Sequence, residues 1–533
     1  MKYIIILIII ISNGFLVSCS QEKNESSGKI SGENRYGGQI VNGVNNDAET
    51  LNPIFCESAL SQEVVHLMML GLADLDENSQ FKPELAESWE SSEDYLKLTY
   101  KLRKNMVWSD GYPISAYDVK FTYDLLMDTL VASPRQSACD FIKQVSVVDS
   151  YTVTFEFTEA YPTQIFDTAG EILPRHILEK VNRKQIRNHG FGRMPVASGP
   201  FNLKKWIPQQ YIELEPNDRY FGRRAYLDNV IFKIIPDKTN LLMQLKSGEI
   251  DMAADVPPAE IADIKEKENN IKLYQVDGRV YYFIGYNNKH KLFLDKTIRR
   301  ALTMALDRTK IIDALLFGYG KPCLGPLPPM VKWAYNDKVK AIPYNPSKAK
   351  QLLEQAGWQD SDNDGILDKD GKKFEFTLSS SAGNQLKSDV AVITQEQLGK
   401  IGIKVNIELI EWTTFIDKIQ SKNFDACVNG WSTPYYVDPT PVFHSDATDM
   451  FNFVSYSNPV VDRLIEKGRM QMDQAAAADT WKKFHKIIYD DQPYTFLFWI
   501  DQVVAVKSRY KNVRPLALSS VYDLENWYIG SDK

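Results

Sequence analysis

Metal-ligand spacing is missing from this chain. Its six histidines, at positions 66, 176, 189, 290, 444 and 485, stand far apart in 533 residues, with no HExxH or CxxC pair, so a site built from protein ligands alone is unsupported. A GxSxG elbow is also absent, and Gly318–Pro322 (GYGKP) lacks the spacing and the Ser/Thr of a phosphate loop. Carboxylate pairs carry no weight in a chain with 69 acidic residues. The net charge of −7 comes without a long run of either sign, so neither nucleic-acid binding nor a basic membrane patch is expected. After the first apolar run no hydrophobic stretch approaches about eighteen residues, which excludes a polytopic transporter.

What is present begins at the N-terminus. Lys2, the apolar stretch Tyr3–Ile11 and then Leu16-Val17-Ser18-Cys19 read as a secretory signal, too short to span a bilayer as a mature helix. Its end resembles a bacterial lipoprotein signal. Residues 1–18 are therefore expected to be removed, leaving Cys19 lipidated and anchored without spanning the membrane, in the periplasm or on the outer face of the cell membrane. Residues 19–36 are expected to form a leash. Ser20–Gly38 has almost no apolar surface to offset its ordering entropy, and as a coil it would let the body range about 20–25 Å from the surface. The remaining cysteines, Cys56, Cys139, Cys323 and Cys427, fit either one or two disulfides or small buried hydrophobes, and spacing does not choose between them.

The body after the leash exceeds the size at which one core stops growing, so two or more lobes are expected. Gln39–Val44, Lys97–Leu102, Thr152–Phe157, Val230–Ile235 and Lys404–Ile410 read as strands alternating with helical periodicity, which predicts a mixed α/β or α+β body. Ser115 precedes a helix with Asp118 at the capping-box position and Val119, Tyr123, Leu126 and Leu130 on one face. Asn345-Pro346 opens another, with Ala349, Leu352, Leu353 and Ala356 on one face and Gly357 at its close.

Several segments follow one another in a recognisable order. They are Glu49–Pro53 (ETLNP), Lys82–Trp89 (KPELAESW), Leu98–Tyr123 (LTYKLRKNMVWSDGYPISAYDVKFTY), Ile172–Leu178 (ILPRHIL), Ala197–Phe201 (ASGPF) and Asn217–Phe221 (NDRYF). Leu241–Asp251 (LLMQLKSGEID), Asp295–Asp307 (DKTIRRALTMALD), Tyr344–Trp358 (YNPSKAKQLLEQAGW), Glu396–Val405 (EQLGKIGIKV), Phe424–Trp431 (FDACVNGW) and Asp490–Pro493 continue the series. Together they resemble the family 5 extracellular solute-binding proteins, the oligopeptide, dipeptide and nickel receptors of ABC importers, from about residue 37 to the C-terminus.

The resemblance implies a bilobal, periplasmic-binding-protein-like type II fold with an extra domain on the first lobe. Residues 37–62, 196–278 and 505–533 would form lobe I, 63–195 the added domain and 279–504 lobe II, with crossings near Val276–Tyr286 and Trp499–Val506. It further implies a monomeric receptor, not an enzyme, that needs no cofactor. Such a receptor closes on a solute, foremost a peptide, and delivers it to two permease and two ATPase subunits. An oligosaccharide receptor, a metal-chelate receptor and a sensor or surface lipoprotein without transport are the alternatives.

For the site, the resemblance points to Trp431 of the Gly-Trp turn as a solute contact, flanked by Gly430 and Ser432. Family peptide receptors carry an aspartate three positions later that pairs with the peptide ammonium. Here that position is Pro434, and Asp438 matches a different family aspartate, so this amine clamp is missing. Tyr435 and Tyr436 offer stacking faces. Glu57 and Ala59 align with cleft-lining positions, and Glu57 could replace the missing acid. Asp360, Asp362, Asp364 and Asp368, with Gly365, imitate a calcium loop, but Gly371 stands where a bidentate glutamate is required, so a polar hairpin is the competing reading.

Overall fold

The computed structural model describes residues 35–447 and 451–530. The signal segment, Cys19 and residues 20–34 lie outside them. Among the described residues no helix is long and apolar enough to cross a membrane.

An eleven-stranded mixed sheet runs through the body. Its strands are β1 (Gln39–Val44), β2 (Phe201–Ile207), β3 (Tyr211–Pro216), β4 (Asn229–Ile234), β5 (Met252–Ala253), β6 (Ile271–Tyr286), β7 (Gly320–Pro322), β8 (Glu375–Ser381), β9 (Lys404–Ile410), β10 (Ala426–Ser432) and β11 (Tyr494–Lys507). They lie in the order β9-β8-β10-β6-β11-β5-β1-β4-β3-β2, with β7 against β11. β11 is buried on nearly every residue, as its continuous apolar run requires of a strand covered on both faces. β4 instead alternates buried and half-buried positions, the pattern of a strand with one face inward.

Five helices matter here: α1 (Ala59–Met68), α2 (Ala116–Met127), α3 (Pro346–Gln355), α4 (Gln385–Gly399) and α5 (Trp412–Gln420). The Ser115–Asp118 capping box forms as expected. The helix nevertheless ends at Met127, leaving Leu130 outside it and exposed, which corrects the four-residue face read from the sequence. Its C-cap amide bonds back to Leu125, so the chain turns one helical turn before the periodicity runs out. Asn345 caps α3 and Gly357 takes φ +91° past its end, the left-handed conformation glycine adopts without strain. α4 carries the chain from β8 to the parallel β9, a strand-helix-strand crossover.

A separate four-stranded antiparallel sheet is built from Ala86–Ser91, Lys97–Leu102, Thr152–Phe157 and Ile142–Asp149. Its core is aromatic, with Tyr123 edge-on to Phe155 at 4.8 Å. It shares one hydrophobic cluster with β1–β4 and residues 504–527. Two other clusters, drawn from residues 281–499, cover opposite faces of the β8-β10-β6-β11 region. Only β6 and β11 run through both parts of the sheet, and their pairing breaks between Val276 and Val280. All four described cysteines are buried free thiols, so the disulfide alternative is not realised.

Candidate functional site

Of the candidate residues, Gly430, Trp431 and Ser432 lie at the end of β10, beside the ends of β8 and β9, with Tyr435 and Tyr436 just beyond. β8 and β10 run parallel, so their carboxyl ends share one edge, the place where open α/β sheets leave a crevice for ligands. Trp431 sits one residue before the end of β10, paired with Tyr281 of β6. Its half-buried indole lies 5.4 Å from Phe451, 5.8 Å from Phe453 and stacked 6.3 Å from Phe283. The indole N–H points to the Tyr494 hydroxyl at 3.4 Å. Trp431 is thus braced by several aromatic rings and stays half-buried. Gly430 is half-buried and Ser432 exposed beside it.

Beyond Ser432 the chain is tied to the bulge of β6. The Thr433 N–H and hydroxyl both donate to the Arg279 carbonyl, at 2.9 and 3.0 Å, and the Arg279 guanidinium donates back to the Thr433 carbonyl at 2.6 Å. The same guanidinium lies 4.0 Å over the Tyr435 ring. Tyr435 donates its hydroxyl to the Ala517 carbonyl at 2.7 Å, and Tyr436 meets Phe166 edge-on at 5.3 Å. Both tyrosines therefore bind segments far from their own cluster, a use that the sequence reading missed. Pro434, just before Tyr435, is exposed and carries no charge.

Glu57 and Ala59 are exposed at the first turn of α1. No hydrogen bond, ion pair or ring contact joins them to Trp431 among the described residues. The acid at work in this turn is Glu49. Its carboxylate accepts from the Glu57 and Ser58 N–H groups at 2.6 and 3.0 Å, from Ser61 Oγ at 2.8 Å and from the Ser58 hydroxyl. Burial alone would raise its pKa, but these bonds hold it at about 2. Further along α1, Glu63 accepts from Ser519 Oγ and from the Ser520 N–H and hydroxyl. Segment 517–520 thus touches both α1 and Tyr435.

In the acidic hairpin, Asp360, Asp362 and Asp364 lie close enough to share an ion. Lys373 Nζ stands 2.6 Å from Asp362 and 2.9 Å from Asp364, and Asp368 accepts from Ser361 N–H and Oγ. An ammonium thus supplies positive charge there, in keeping with the hairpin reading.

Two surface recesses, one around Tyr36 and Arg224 and the other around Arg193 and Trp206, include none of these residues. The pattern of bacterial extracellular solute-binding proteins, family 5, matches residues 80–450. The chain belongs to that family. Family relatives cover nearly all of it. Oligopeptide-binding protein AppA of Bacillus subtilis (strain 168) is 36% identical over 527 residues, 97% of this chain and 96% of its own. The structure of AppA in complex with a nonapeptide superposes with a TM-score of 0.70, covering 94% of this chain and 100% of that one at 34% identity. NikZ from Campylobacter jejuni in complex with Ni(L-His) reaches 0.72 at 26% identity, covering 92% and 99%. The fold class of this family, mixed α/β and bilobal, is the one described above.

Proposed function

We propose that the protein is the lipid-anchored receptor of an ABC importer and captures a peptide between two lobes. The observation that carries this reading is the aromatic edge at the end of β10. There Trp431 is braced by Phe283, Phe451 and Phe453, while the next turn sends Tyr435 and Tyr436 to Ala517 and Phe166. Such an edge supplies apolar contact with little side-chain entropy to lose, as a receptor of varied sequences needs. Likeness to AppA, whose structure holds a nonapeptide, supports a peptide over the alternatives.

In this reading residues 37–62, 196–278 and 505–533 make lobe I, 63–195 the added domain and 279–504 lobe II. The break in pairing at residues 277–279 of β6 is the hinge. Lobe I and the added domain share one hydrophobic core, which would make them move as one body. Cys19 and its leash would keep the cleft near the permease. Native mass spectrometry of the purified full chain tests the ligand class. A ladder of co-purifying peptides is expected, whereas a sugar or a metal-chelate adduct would replace the peptide reading.

A further inference from the structure

Three exposed cations near strands β1 to β4 lie over aromatic rings, and among the described residues none has a carboxylate partner. Arg193 stands 3.9 Å over Trp206, Arg223 4.2 Å over Tyr226 and Lys205 5.9 Å over Tyr211. The acids nearby are already engaged. Asp47 accepts from the Trp206 indole N–H at 3.1 Å and the Gln209 N–H at 2.8 Å, and Glu213 accepts from Lys204 at 2.8 Å. Asp218 and Asp228 both pair with Arg224, at 3.4 and 3.0 Å. Arg193, Lys205 and Trp206 line a recess of about 360 Å³ together with Met194, Leu203 and Pro208. Met194 is 77% exposed. Lysines on an edge strand such as β2 would by themselves only discourage a further strand, but Arg193 and Met194 come from another segment and close the recess. A cationic rim beside aromatic and apolar walls suits the charged head of an amphiphile.

Where the recess lies supplies a second, independent argument. Lys204 also donates to Asn229 Oδ1 at 2.9 Å, and Asn229 pairs with Gln39, the first residue of β1. Just before Gln39, the Gly37 N–H bonds to the Tyr226 carbonyl at 2.9 Å and the Tyr36 ring packs 5.0 Å from Tyr226. The other recess, around Tyr36 and Arg224, is at this same place. Both recesses therefore flank the point from which the chain runs back to Cys19. The sequence carries no run of like charge here, because the fold gathers residues 193, 205 and 223 from separate segments. We propose that this face lies against the membrane and that the Arg193–Trp206 recess takes the phosphate of an anionic phospholipid headgroup. That the membrane is within reach rests on the lipid anchor proposed above.

Partition of the full chain carrying Cys19→Ser between vesicles of phosphatidylcholine with and without phosphatidylglycerol tests the face. Without an acyl group on residue 19, and with the apolar leader entering both kinds of vesicle alike, the difference reads the charged surface. The anionic vesicles are expected to bind at least about tenfold more tightly, and added salt should reduce the preference. Arg193→Gln and Lys205→Gln should each cost roughly fivefold on anionic vesicles, the worth of one basic residue at such a surface, and the pair about twenty-fivefold. Arg193→Lys should keep most of the binding. Equal partition of the Cys19→Ser chain into both vesicles overturns the proposal and needs no further variant to fold. A preference that survives both glutamine substitutions also overturns the recess. If inorganic phosphate raises the thermal midpoint while vesicles show no preference, the recess takes a free anion and the membrane assignment fails. The anchor is judged separately: intact-mass measurement of the native protein showing an unmodified Cys19 would remove it and leave the vesicle result standing.

Discussion

Trp431 owes its availability to neighbours that the sequence does not announce. Phe283 and Phe453 come from distant segments, so spacing could flag the Gly-Trp turn but not the column behind it. Trp431→Ala should weaken solute binding by about 2 kcal/mol or more, roughly thirtyfold in Kd, the range of a central aromatic anchor. Titration of the co-purifying solute would measure it, and an unchanged Kd would remove Trp431 from the site. A second residue sets a pH limit on stability. His485 accepts the Asn336 N–H at Nδ1 (3.1 Å) and donates from Nε2 to the Leu324 carbonyl (2.8 Å), so the folded state holds it neutral. Burial lowers its pKa to about 4. Below pH 6.5 the unfolded chain takes up a proton that the folded one refuses. Stability present at neutral pH is therefore lost between about pH 6.5 and 4, by about 3 kcal/mol in all. The thermal midpoint should fall across that window, and His485→Gln, which can both accept and donate, should flatten the slope.

At the scale of elements, much was legible because periodicity is local. Gln39–Val44, Lys97–Leu102, Thr152–Phe157 and Lys404–Ile410 are strands with the expected bounds, and the caps at Ser115 and Asn345 form. Leu130 failed because a periodic pattern does not mark where a chain turns. The break in β6 was illegible for another reason: it depends on what β11 does opposite. Residues 277–279 face a single residue, Asp501, and a Cβ on Gly278 would fall 1.7 Å from the Ile500 carbonyl oxygen. Gly278→Ala must push the two strands apart, and a loss of about 2–4 kcal/mol is expected from such a backbone clash. Chemical unfolding would measure it. A stability change within about 0.5 kcal/mol, the scale of an ordinary surface substitution, would mean that β6 and β11 are not held in this register.

At the scale of the molecule, the contacts that matter join segments separated by scores of residues, and no window of sequence reveals them. Tyr435 reaches Ala517 and Tyr436 reaches Phe166, so they tie the loop after β10 to two segments whose neighbouring residues, Val513, Val521 and Ile165, belong to or pack on the cluster that contains β1–β4. If lobe II swings about residues 277–279, both contacts belong to the closed form and must break as it opens. Tyr435→Phe keeps the ring against Arg279 and removes the hydroxyl. The lost bond is worth about 1 kcal/mol net, which shifts the closed-to-open ratio about fivefold. Tyr436→Ala removes an aromatic pair of similar worth. The two reach separate partners, so their effects should nearly add, giving the double variant roughly a twentyfold shift towards the open form. X-ray scattering of the solute-free chain should then give a larger radius of gyration, with affinity reduced in proportion because closure is part of binding. Scattering curves that superimpose on those of the native protein would mean that the tyrosines brace the loop without holding the lobes together.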